Sequence, residues 1–173
     1  MSVHVVIMGV SGCGKTTVAQ AVADRLGLVM AEGDDFHPKA NVEKMSHGIP
    51  LGDEDRWPWL RIINEWMIDQ DRQGKGTVVS CSALKKAYRD VLRHDLDVLF
   101  VHLSGSQELI GTRLAKRTGH YMPPSLLPSQ FADLQPLEPG ENGVEIGIEG
   151  TPEQVEDQAL AAVRDYLAKQ QAE

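Results

Sequence analysis

"GVSGCGKT", Gly9–Thr16, follows the apolar run "HVVIM" and precedes a segment in which Val18, Val22 and Leu26 recur at four-residue spacing. The run reads as a buried strand and the spaced residues as one face of an amphipathic helix. Between them stands the pattern GxxxxGK[ST]. Its glycines let the backbone curl until successive N–H groups point inward at phosphate oxygens, and the following helix N-terminus adds its positive dipole end. Gly9, Val10, Ser11, Gly12, Cys13 and Gly14 would form this cradle, with Thr17 at its far end. Lys15 would reach the β and γ phosphates, and Thr16 would offer its hydroxyl to Mg²⁺. Strand, loop and helix together predict nucleotide binding on an open α/β sheet. They leave the reaction open, because motors, GTPases and small-molecule kinases share this loop.

Outward from the loop, the same alternation continues. "LGLVMAEG", "GTVVSCS", "DVLFVHL" and "GVEIGIEG" read as further strands separated by helical segments. That order predicts a parallel sheet with helices on both faces. In "TPEQVEDQALAAVRDYLAK", Thr151 at the cap, Pro152 at the first helical position and Gln154 three residues after the cap mark the start of a closing helix. The stretch 117–142 breaks the pattern with repeated Pro and Gly. An irregular segment of that length is functional or disordered in most compact domains, and it is read here as a mobile lid, with a plain surface loop as the alternative.

The 173 residues fit one domain, 1–173, and the 42% hydrophobic content is ordinary for a globular chain. The longest apolar runs are strand-sized, far short of the roughly 20 residues a membrane span needs. The N-terminus lacks a basic region and cleavage site, and two cysteines are too few for a disulfide framework, so a cytoplasmic protein is expected. A net charge of −8 argues against a general nucleic-acid or anionic-membrane binder. An anionic substrate must then be met by a local basic cluster.

"EGDDFHPKAN", residues 32–41, crowds three carboxylates at the end of the second strand. Ligands of an open parallel sheet bind beyond the carboxyl ends of the strands, so these groups should share an edge with the phosphate loop. A bound cation and Lys15 would offset their repulsion. Glu32 is the candidate for the metal's outer shell and Asp34 for accepting a hydroxyl proton or orienting the nucleophile, whereas Asp34 or Asp35 could instead cap the next helix. His37 is read as a positioning residue rather than a base. In "GDEDRWPWL" the tryptophans fit a core or pocket wall better than sugar stacking, while Arg56 could grip a carboxylate through two parallel hydrogen bonds. Lys85 and Arg89, four residues apart in "SCSALKKAYRDVLR", could meet one anion or form a solvated helix face. Cys13, beside Lys15 at a helix start, could be oxidant-sensitive or pair with Cys81 if the first and third strands are neighbours; structural neutrality is the alternative.

Over nearly its whole length the chain resembles the small gluconate kinases of the P-loop, shikimate-kinase-like group. "GVSGCGKT" is generic, but "EGDDFHPKANVEKMSHGIPLGDEDRWPWL", "CSALKKAYRDVLR" and "GHYMPPSLLPSQFADLQPLEPGE" are specific and in order. The resemblance implies a three-layer P-loop NTPase fold with a five-stranded sheet in the order 2-3-1-4-5, and ATP-dependent phosphorylation of the 6-hydroxyl of D-gluconate. It implies that Arg113 and Arg117 contact the nucleotide and the moving phosphoryl group, and that Thr151 and Pro152 lie near adenine. By the same resemblance His120 and Gln130 close over the substrate, and the protein is a homodimer. The chain departs from related kinases at Glu32-Gly33-Asp34, where an aspartate-x-aspartate pair is usual, and at Cys13, where a serine or other small residue is common. Two rivals stay open. One is a kinase of the same fold acting on another small acceptor; the other is a silent module that binds ATP and turns over nothing.

Overall fold

The structure, a computed structural model, describes residues 2–116 and 127–172. Within them, β1 (His4–Met8), β2 (Val29–Glu32), β3 (Thr77–Ser80), β4 (Val98–Ser104) and β5 (Gly143–Gly147) form one parallel sheet in the order β2-β3-β1-β4-β5. The helices are α1 (Lys15–Leu26), α2 (Lys39–Ser46), α3 (Asp53–Arg72), α4 (Lys86–Leu92), α5 (Gln107–Ala115), α6 (Leu127–Asp133) and α7 (Pro152–Ala172). This is the sheet order that the family resemblance implies.

The central strand explains the two-sided core. Along β1, Val5 and Ile7 pack with Val18 and Val22 of α1 and Leu160 and Val163 of α7. Val6 and Met8, pointing the other way, pack with Trp59, Leu60 and Ile63 of α3 and Leu92 of α4. A strand covered on both faces must be apolar at every position, which is why "VVIM" shows no alternation. His4, at the opposite end of β1, is buried with both ring nitrogens engaged, Nδ1 by the Thr77 hydroxyl at 2.8 Å and Nε2 by Asp71 at 2.9 Å. At the start of α7 the expected capping box is present: Gln154 N–H donates to Thr151 Oγ1 at 3.1 Å, and Thr151 N–H to Gln154 Oε1 at 2.9 Å.

The described part of the expected lid, 127–142, is packed down. Leu127 and Gln130 of α6 are buried, and Gln135 N–H donates to the Leu84 carbonyl at 2.7 Å. Glu141 lies with its side chain 2% exposed against Arg89. Residues 117–126, and with them Arg117 and His120, lie outside the described residues.

Candidate active site

The phosphate loop turns from β1 into α1 through Gly14, whose φ of 98° is in the left-handed region that favours glycine. Lys15 opens α1, and its Nζ bonds back to the Val10 carbonyl at 3.0 Å, folding over the loop. Ser11 and Gly12 contribute to the same cleft. Cys13 is buried, and its N–H donates to the Val10 carbonyl at 3.4 Å. The suggested pairing with Cys81 is not made: neither thiol is in a disulfide, and they pack in different core layers. Burial pushes the Cys81 thiol up to about 12, so it stays protonated.

Parallel register sets Glu32 beside Ser80, the last residue of β3. Ser80 Oγ donates to Glu32 Oε2 at 2.6 Å, and Thr16 Oγ1 donates to the same oxygen at 3.0 Å. Two hydroxyls and a carboxylate make a set of hard oxygens suited to Mg²⁺, which takes one or two protein oxygens and completes its shell with phosphates and water. Among the described residues no group of three or more His, Cys, Asp or Glu side chains is placed to hold a metal ion by itself. Ser80 was missed from sequence, where a serine ending a strand carries no signal of its own.

Gly33 explains the spacing of the carboxylates. A Cβ there would stand 2.3 Å from the Ser80 carbonyl oxygen, so only glycine lets the chain pass this close to β3. The 3₁₀ turn Gly33–Phe36 that follows places Asp34 in the cleft. Neither Asp34 nor Asp35 caps α2, whose cap position is Pro38. His37 stacks on Trp59 with ring centroids 4.0 Å apart and 16° between planes, while Trp59 Nε1 donates to the Gly33 carbonyl at 2.7 Å. Burial drives His37 down to about 4 against the pull of Asp34, 3.7 Å from Nε2, so the imidazole is neutral at pH 7. Its low basicity fits the positioning role better than that of a base. Trp59, assigned from sequence to a core or wall, serves both, since it is 1% exposed and also lines the cleft.

The basic cluster divides. Arg56 reaches the cleft from the first turn of α3, with Nη1 donating to Tyr88 Oη at 2.7 Å and to Asp133 at 3.1 Å. Lys85 lies outside that cleft lining and pairs with Asp53 at 3.3 Å, with Asp133 at 4.0 Å. Arg89 corrects the sequence expectation. It is fully buried, spans Glu141 through Nε at 2.8 Å and Nη2 at 3.0 Å, and gives Nη1 to the Ala83 carbonyl, so no donor is turned toward a substrate. The four-residue spacing misled because Lys85 precedes α4, and its extended backbone takes it off the Arg89 face.

Gln130 meets the phosphate loop directly, its Oε1 accepting the Ser11 N–H at 2.6 Å. On the other side of the loop, Gly12, Thr17, Arg113, Ile148 and Pro152 line a second cleft. Arg113 Nη2 is fixed there by the Ile148 carbonyl at 2.9 Å.

A gluconokinase of Gluconobacter oxydans is 52% identical over 146 residues, covering 84% of this chain and 81% of that protein. The chain belongs to the gluconokinase family. A family model for shikimate kinase also matches residues 11–125, the wider group that shares the loop and sheet. Among solved structures, a sugar kinase from Janibacter superimposes with a TM-score of 0.91 at 51% identity, covering 95% of both chains. A gluconokinase from Sinorhizobium meliloti 1021 gives 0.87 at 40% identity, covering 97% of both. Family membership explains why the specific segments "DDFHPKAN" and "CSALKKAYRD" meet around one cleft. Among the described residues, no helix is long and apolar enough to cross a membrane.

Proposed function

We propose that this chain transfers the γ-phosphoryl group of ATP to the 6-hydroxyl of D-gluconate, giving 6-phospho-D-gluconate and ADP. One observation carries the reading: a single cleft joins the phosphate loop, through Lys15 and Thr16, to an acceptor end lined by Asp34, His37 and Arg56. The hydroxyl oxygen forms the new bond to the γ-phosphorus as the bond to the ADP oxygen breaks, and its proton passes to the Asp34 carboxylate. Such a transfer asks little covalent work of the protein, so alignment and charge stabilisation dominate. Lys15 and the loop N–H groups stabilise the transferring phosphoryl group. Thr16 and Glu32, the latter oriented by Ser80, would hold Mg²⁺, which when bound neutralises phosphate charge. His37, held by Trp59 and Asn41, positions the acceptor, and Arg56 takes its carboxylate. Arg113 and Pro152 would border the nucleoside, and the family resemblance assigns Arg117 to the phosphoryl group and His120 to the substrate.

Small-molecule chemistry, an acidic chain and buried cysteines outside any disulfide suit a cytoplasmic enzyme without nucleic-acid or membrane partners. A homodimer is the assembly we propose from family resemblance, to be checked by sedimentation equilibrium. The deciding experiment is ADP release with Mg-ATP and D-gluconate, shikimate, AMP or no acceptor. Stimulation by gluconate alone supports the proposal. Stimulation by another acceptor, or ATP binding without turnover, would replace it with one of the two rivals.

A further inference from the structure

The anchoring of Arg56 is one-sided. Among the described residues both of its hydrogen bonds leave from Nη1, one to the Tyr88 phenol and one to Asp133. Its Nε–H and an Nη2–H lie parallel on the opposite edge of the guanidinium, the arrangement that accepts a carboxylate in two bonds. Tyr88 is 1% exposed, and its hydroxyl in turn donates to Asp53 at the start of α3. The same ring lies under both cations, 5.1 Å from Arg56 Cζ and 5.6 Å from Lys85 Nζ, and is braced edge-on by Trp57.

Fixing an arginine with carboxylates alone would neutralise it and repel an incoming acid. A phenol oxygen fixes it without adding charge. Asp53 spends its charge on Tyr88 and Lys85, leaving Asp133 as the carboxylate in direct contact with Arg56 among the described residues. We infer that Tyr88 is a positioning residue for acceptor recognition: it fixes Arg56 through Nη1 without adding a second counter-charge to that of Asp133, leaves the Nε–Nη2 edge for an incoming group, and so selects acceptors that carry a carboxylate. The inference rests on the reading of Arg56 as the carboxylate grip and names the residue that makes that grip selective.

The test is Tyr88→Phe, which keeps the buried ring and removes only the hydroxyl. Steady-state kinetics are measured with gluconate in wild type, Tyr88→Phe, Arg56→Ala and the double variant, alongside inhibition by the neutral polyol D-glucitol. Loss of a hydrogen bond to a charged group should raise KM for gluconate about tenfold. Little change is expected in kcat, in KM for ATP or in glucitol inhibition, and the Tyr88→Phe effect should vanish in the Arg56→Ala background. An unchanged KM in Tyr88→Phe with a raised KM in Arg56→Ala would overturn this inference alone. A Tyr88→Phe effect that persists without Arg56, or that falls equally on ATP, would overturn it as well by making Tyr88 structural. An unchanged KM in Arg56→Ala would instead remove the reading on which it rests.

Discussion

Glu141→Gln tests whether the buried Arg89 is held for stability rather than for substrate. Glu141 accepts from Arg89 Nε and Nη2, from Arg93 Nη2 at 2.7 Å, and from the Glu138 N–H at 2.8 Å. Arg89 is 0% exposed, so removing its counter-charge strands a cation with no water to solvate it. Breaking a buried pair from one side costs about 3–5 kcal/mol. Glutamine keeps one acceptor oxygen, so the lower end, about 3 kcal/mol, is expected. The titration of Glu141 leads to a similar figure. Burial alone would raise its pKa, but the Arg89 bonds, the Glu138 N–H and Arg93 outweigh burial and hold it at about 2, against an ordinary 4.5. A depression of that size is on the order of 3 kcal/mol favouring the folded, ionised state. That contribution is complete above about pH 4.5 and is lost as pH falls through about 2. Denaturant unfolding at pH 7 should therefore show a deficit of about 3 kcal/mol, or a Tm lower by roughly 10 °C, and the gap between variant and wild type should close on acidification. KM for gluconate at 25 °C should barely move. A deficit under about 1 kcal/mol would refute the buried-charge argument. A large rise in KM without loss of stability would return Arg89 to the substrate.

The remaining expectations concern the cleft. Lys15→Ala should reduce kcat/KM by roughly two decades, the cost of one preorganised donor to developing charge, and near-normal turnover would remove its assigned role. Asp34→Asn should depress kcat far more than KM for gluconate; a raised KM with kcat intact would make Asp34 a positioning group. His37, neutral in the fold and held at about 4, favours the unfolded state once that state protonates below its ordinary 6.5. Stability should therefore fall by about 3 kcal/mol as pH drops from 6.5 to 4, and His37→Gln should flatten that part of the profile.

How much could be read in advance depended on how local the deciding physics was. The phosphate loop, the strand–helix alternation and the Thr151–Gln154 capping box rest on contacts within a few residues, and each appears in the structure as expected. Arg89 was misread because its fate is set by Glu141, fifty-two positions later, and by burial that spacing along a helix cannot reveal. Ser80 and Tyr88 were passed over for the same reason: a serine ending a strand and a tyrosine on a helix acquire meaning only from neighbours on other elements.

The chain by itself determined that a nucleotide is cradled after the first strand, that carboxylates gather after the second, and that a parallel sheet brings these ends to one edge. Hydrophobic period and glycine placement are sufficient for that, because they act through the backbone. Tertiary structure alone decided which cation faces the cleft and which is spent. A charged side chain is fixed by where its counter-charge and its water lie, and both are set by packing between α3, α4 and the segment from α6 to β5.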